Sequence, residues 1–99
     1  MAAVIDIGTF ITTQPGVHGG RPIIAGTGVT VQRIAVLYNL GYSPEEIARK
    51  MDHLTIAQIY AALTFYLANR DTIEAGIRTE DEAYERLQRE HEAARPKQP

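Results

Sequence analysis

Two helix starts in close succession constrain this chain more than any other feature. Ser43-Pro44-Glu45-Glu46 offers an N-cap hydroxyl, a proline at the first helical position and a glutamate three residues after the cap. That glutamate can reach back to the backbone N–H of the cap, so the two orphan donors satisfy each other. Beyond a break at Asp52-His53-Leu54, Thr55 supplies a second N-cap. Upstream, Gly41 stands where a helix beginning near Thr30 would end, at the position that favours positive φ. End signals alone therefore divide residues 30–70 into three short helices.

The apolar spacing agrees. Val31, Ile34, Leu37 and Tyr38 mark one face of the first helix. Ile47, Ala48 and Met51 are expected to turn inward from the second. Ile56, Ile59, Tyr60, Leu63, Tyr66 and Leu67 form the stripe of the third, which runs to about Asn69. A short helix, a brief break and a longer helix suit a helix-turn-helix, in which the second helix enters the major groove. Thr55, Gln58 and Ala62 would then face base edges, and Arg49 and Lys50 would hold phosphates. Residues 51–69 contain no lysine or arginine, however. The competing reading is a packing helix, with Ala61, Ala62, Phe65 and Ala68 lining a dimer interface.

Residues 1–29 read differently. Phe10-Ile11-Thr12-Thr13 and Pro22-Ile23-Ile24-Ala25 are expected strands of a β-ribbon. The loop between them holds Pro15-Gly16, which suits a type II turn, and Gly19-Gly20. Five of the eight glycines lie in 16–30. They do not make a phosphate loop, because no lysine precedes Lys50 and a P-loop needs one directly after its second glycine. Gly26 and Gly28 begin a dinucleotide fingerprint that Val31 fails to complete. Turn-setting is the better reading.

Residues 71–99 carry eight acidic and five basic side chains. Residues 70–78 are ambiguous, and Gly76 is expected to break any helix there. Thr79-Glu80-Asp81-Glu82 then reads as a capping box opening a last helix, with Glu82/Arg86 and Glu85/Arg89 pairs at i, i+4. Its apolar positions, Ala83, Tyr84 and Leu87, are too sparse for a core. Arg95-Pro96-Lys97-Gln98-Pro99 is expected to be disordered.

With 99 residues the chain has room for one compact domain and a tail. It has no cysteine, so disulfide scaffolds and cysteine chemistry are excluded. His18, His53 and His91 are too scattered for metal, and no nucleophile signature supports catalysis. No catalytic residue, metal or cofactor is expected, and the chain is not read as an enzyme. The opening residues lack the basic start of a signal peptide, and no run is long enough to span a membrane. A cytoplasmic protein is the expectation. The net charge of −2 argues mildly against nucleic acid. Small size and exposed strand edges favour a homo-oligomer built partly by the ribbon.

An ordered set of residues carries a resemblance. Pro15, Gly19-Gly20-Arg21-Pro22, Ile24, Gly26-Thr27, Val31, Ile34, Gly41, Ser43, Glu45-Glu46-Ile47, His53-Leu54-Thr55, Ile59 and Ala62-Leu63 together resemble a bacterial family known as domain of unknown function 433. Gly28, Thr30 and Met51-Asp52 depart from it, standing where many members have arginine, proline and Tyr-Pro. The resemblance implies a mainly α fold: an N-terminal β-ribbon (1–29), a trihelical homeodomain-like helix-turn-helix unit (30–70) and an acidic, charged helical tail (71–99). It also implies an antitoxin-like adaptor of a type II toxin-antitoxin pair. The expected partners are a PIN-like ribonuclease toxin and operator DNA for autoregulation. The ribbon or the C-terminal helix would contact the toxin, the helix through Tyr84, Arg86 and Leu87; the plainer reading of that charged helix is a solvated one. The alternative is a dimeric protein-protein interaction module with no nucleic-acid role.

Overall fold

The computed structural model describes residues 3–94. A 3-10 turn, Ile7–Phe10, leads into strand β1, Ile11–Thr12, which pairs antiparallel with β2, Ile23–Ile24. Ile11 lies opposite Ile24 and Thr12 opposite Ile23. Four helices follow: α1, Val31–Asn39; α2, Pro44–Lys50; α3, Ile56–Ala68; and α4, Arg70–Ala94. The mainly helical fold, with a small N-terminal β-ribbon ahead of the helices and a charged helix at the C-terminal end, is the one expected. The expected disorder of 95–99 falls outside the described residues.

The end signals act as read. Ser43 accepts from the Glu46 N–H, while the Glu46 carboxylate accepts from the Ser43 N–H. Thr55 and Gln58 make the same reciprocal pair at the start of α3. Thr30 caps α1 by accepting from the Arg33 N–H. Gly41 takes φ +102 at the end of α1. There its N–H donates to the Tyr38 carbonyl, and the Tyr42 N–H donates to the Leu37 carbonyl. This double bond pattern satisfies helix-end carbonyls at a position where a side chain would strain the backbone.

The N-terminal part is less extended than expected. Each strand is only two residues long, and Ile7–Phe10 is a 3-10 turn begun by Asp6, whose carboxylate accepts from the Gly8 N–H. The Gln14–Val17 turn closes through the Val17 N–H and Gln14 carbonyl, but Gly16 does not take positive φ. The turn is therefore not type II. Gly19 and Gly20 do take positive φ, at +64 and +80, within a second 3-10 turn, His18–Gly20.

The core gathers Ile24, Val31, Ile34, Ala35, Leu37, Ile47, Leu54, Ile59, Ala62, Leu63, Tyr66 and Ile73. It draws on β2, all four helices and the turn before α3. The stripe expected for α3 is only half right. Ile59, Leu63 and Tyr66 are buried, but Ile56, Tyr60 and Leu67 are exposed, and Ala61 and Ala62 are buried instead. Tyr38, expected on the inner face of α1, is also exposed, while Gln32 is buried.

The C-terminal reading is corrected most. Gly76 does not break the helix, and Thr79 does not begin one. α4 runs unbroken through both, and the Thr79 hydroxyl donates back to the Ala75 carbonyl. The cause is tertiary. Ile73 is buried in the core and Ile77 packs against it. Gly76 lies so close to Gln32 that an added Cβ would sit 2.6 Å from its Oε1. The Glu80 carboxylate accepts from Arg21 at 2.6 Å and also from the Gln32 amide. These contacts tie the first turns of α4 to α1 and the ribbon. The compact unit thus extends past residue 70. From Glu82 to Ala94 every side chain except Ala83 is exposed. Neither Glu82/Arg86 nor Glu85/Arg89 closes; among the described residues the ion pairs are Arg21–Glu80 and Arg70–Glu74.

This division of α4 has a measurable consequence. Ile73→Ala should cost roughly 2–4 kcal/mol in chemical denaturation, the usual penalty for emptying a buried aliphatic site. Leu87→Ala, in the exposed half, should change stability by under ~0.5 kcal/mol. Equal costs would place both halves in one core.

Candidate interaction surfaces

The helix-turn-helix surface is built from the end of α2 and the start of α3. Arg49 and Lys50 are exposed in the last turn of α2, where cations also suit the helix dipole. The Lys50 ammonium lies 4.6 Å from the centre of the Tyr42 ring. Thr55 is exposed and Gln58 half-buried at the first turn of α3. The structure therefore brings the four residues named as DNA contacts to one end of the unit. Two of them are already engaged, because Thr55 and Gln58 cap α3 through each other. Ala62, named as a further base contact, is fully buried and cannot reach a base. Ala62 likewise leaves the expected dimer interface, since it is covered within the chain, whereas Ala61, though buried, lines a groove beside α3.

Carboxylates stand beside this surface. The Tyr60 hydroxyl on α3 donates to Glu45 on α2 at 2.7 Å, joining the two helices. That bond holds the Glu45 carboxyl below the usual glutamate range and pushes the Tyr60 hydroxyl up. Glu46 is also lowered, first by the Ser43 backbone N–H it accepts from. Both glutamates stay ionised near neutral pH, and both would repel a phosphate backbone close to Arg49 and Lys50.

A second polar cluster lies at the other end of α3. The buried Tyr66 hydroxyl donates to Glu74 at 2.8 Å and accepts from the Asn39 amide at 3.1 Å. Arg70 pairs with Glu74 at 3.0 Å. Tyr66 is the first cause of the lowered Glu74 pKa, with Arg70 second. The cluster links the end of α1 to α3 and α4, and every buried side-chain polar atom among the described residues has a partner.

The residues named for partner contact lie on the free half of α4. Tyr84 and Leu87 are 68% and 62% exposed, and Arg86 is exposed beside them. A third surface is the outer face of α3, where Ile56, Tyr60 and Leu67, expected inside, are exposed; of the residues expected at a dimer interface, Ala68 alone is exposed with them. A signal was present: no residue from His53 to Asn69 carries an acidic or basic carboxyl, ammonium or guanidinium group. An uncharged helix offers periodicity no means of telling inside from outside. No group of side chains suited to a metal ion occurs among the described residues, and none of their helices is long and apolar enough to cross a membrane.

Comparison with known families decides the membership. Residues 11–66 match the family described as protein of unknown function, DUF433. The chain belongs to the DUF433 family. A crystal structure of a DUF433 member from Anabaena variabilis ATCC 29413 is similar over 70% of this chain and 68% of that one, with 28% identity and a TM-score of 0.65. No curated protein matches. The DUF433 match ends at Tyr66, before α4, so the exposed arm lies outside it.

Glu45, Glu46 and Glu74 give folding a pH dependence. Each folded pKa is lowered from 4.5. Their stabilisation is complete above the unfolded value and is lost as pH falls through the folded value. The denaturation midpoint should therefore drop as pH falls below about 4.5. Tyr60→Phe should move the Glu45 inflection, followed by carboxyl NMR, upward toward 4.5. An unmoved inflection would remove the Tyr60 bond as its cause.

Proposed function

We propose that this protein is an antitoxin-like adaptor whose α4 arm binds a PIN-like ribonuclease toxin. The family's resemblance to antitoxins supplies the toxin class. The observation that carries the reading is the exposed half of α4. There Tyr84 and Leu87 sit three residues apart, on neighbouring positions of one helix face, with no covering element among the described residues. Such a helix suits an apolar groove on a partner, with Arg86 and the surrounding carboxylates at the rim. Tyrosine and arginine are also the residue types enriched at interface hot spots. The acidic balance of the arm complements a basic, RNA-binding surface.

Operator DNA is a second reading, favoured by one observation: Arg49, Lys50, Thr55 and Gln58 meet at the junction of α2 and α3. For Gln58 to read a base, its carbonyl would have to leave the Thr55 N–H, or its amide nitrogen alone would have to make the contact. Phosphate contacts by Arg49 and Lys50 need no such exchange. This reading therefore expects weak, salt-sensitive binding with little sequence preference.

Coexpression with the product of the adjacent gene should recover a complex. Tyr84→Asp with Leu87→Asp should weaken it about 30-fold or more, the effect of losing a ~2 kcal/mol hot spot. Helicity should be retained, because neither side chain is in the core. A complex indifferent to these changes would remove α4 as the contact. For DNA, Arg49→Ala with Lys50→Ala should abolish binding to the protein's own upstream sequence at 50 mM salt; unaltered affinity would remove the helix-turn-helix surface.

A further inference from the structure

We propose that the outer face of α3 is the contact between two copies of this chain, packed helix against helix about a two-fold axis. The inference is independent of the α4 reading. Ile56, Tyr60 and Leu67 are 43%, 47% and 53% exposed along this face, and Ala57, Thr64 and Ala68 are exposed between and beside them. At helical spacing, residues 57, 60, 64, 67 and 68 share one side. The Ile7–Phe10 turn borders it. Ile7 and Ile11 form a groove of about 300 Å³ with Ala61, Thr64, Phe65 and Ala68, and Ile7 is 60% exposed.

Charge selects the occupant. The whole helix, Ile56–Ala68, carries no ionisable side chain except tyrosine. A nucleic acid cannot be covered by it, because nothing on this face neutralises phosphate. A strongly charged protein surface would lose hydration against it without gaining a partner. A second copy of the same face meets neither cost across Ala57, Thr64, Leu67 and Ala68, since a two-fold contact sets like against like, provided that Glu45, which the Tyr60 hydroxyl holds at 2.7 Å, stays hydrated at the rim. The small residues Ala57, Thr64 and Ala68 let two helix backbones approach closely, and Tyr60 and Leu67 close over the edge.

Area agrees. At their observed exposures, the side chains of this face present roughly 500 Å² per copy, near the ~600 Å² per partner at which stable interfaces begin. A domain this small also gains from burying more surface.

The absence of cysteine makes the test direct. Light scattering of the full chain should give the mass of two chains at micromolar concentration, unchanged between 0.1 and 1 M salt. Thr64→Arg should reduce that mass to one chain while far-UV helicity is kept, because residue 64 is solvent-exposed in the single chain. Thr64→Cys should form a covalent dimer under mild oxidation, and Tyr84→Cys should not. A monomer at about 100 µM, a dimer that survives Thr64→Arg, or cross-linking through position 84 in place of 64 would each overturn the proposal. None of these results depends on whether α4 captures a toxin.

Discussion

The fold depends on the burial of one side of α3 against α1. Ile59, Ala62, Leu63 and Tyr66 occupy the same core as Ile34, Ala35 and Leu37. α2 closes that core with Ile47, β2 with Ile24, and α4 with Ile73. The other elements are too short to hold a shape by themselves: the strands have two residues each, and α2 has seven. Helices of this length are marginal in water unless packing supports them. Tyr66 adds direction to the packing, since its buried hydroxyl must be satisfied and Asn39 and Glu74 satisfy it.

Where local chemistry decides the outcome, residue order is a sufficient guide. Ser43, Glu46, Thr55 and Gly41 perform the end functions their identities imply, because caps are satisfied by atoms three or four residues away. Gly76 and Thr79 show the opposite case. Their local signals favour a break and a new start, yet Ile73, Ile77 and the Gln32–Glu80 contact hold the helix through both. Gly76 remains small because Gln32 comes close, and that reason is visible only across forty-four positions of sequence. The 3-10 turn at Ile7–Phe10 belongs with the caps, since Asp6 starts it by accepting from the Gly8 N–H two residues on, a local signal that the strand-favouring residues around it mask.

The candidate surfaces follow this division. Tyr84, Arg86 and Leu87 are legible because the helix around them is polar, so two large apolar side chains stand out. Arg49, Lys50, Thr55 and Gln58 are legible as a spacing, but their hydrogen bonds are not: the Thr55–Gln58 capping box takes up groups that a base would need. The outer face of α3 is illegible as a face. Ile56, Tyr60 and Leu67 fit the same stripe as Ile59 and Leu63 when every position is apolar or small. Only the placement of α1 and the N-terminal turn determines which of them meets water.

The three surfaces are not equally compatible. The exposed half of α4 leaves the domain beyond Asp81 and carries its own apolar pair, so it can engage a partner whatever α3 does. Groove reading by α3 and pairing of α3 with itself compete for Ile56, Tyr60 and the turn of helix between them. Electrostatics separates the two. A recognition helix gains most of its affinity from phosphates, yet this one offers no cation along its length and has ionised Glu45 held against it by Tyr60. An apolar contact gains from the same absence of charge. Two copies joined through α3 would still present Arg49 and Lys50 from each, so any DNA affinity in such a pair would come from α2, with α3 setting the spacing between the two sites.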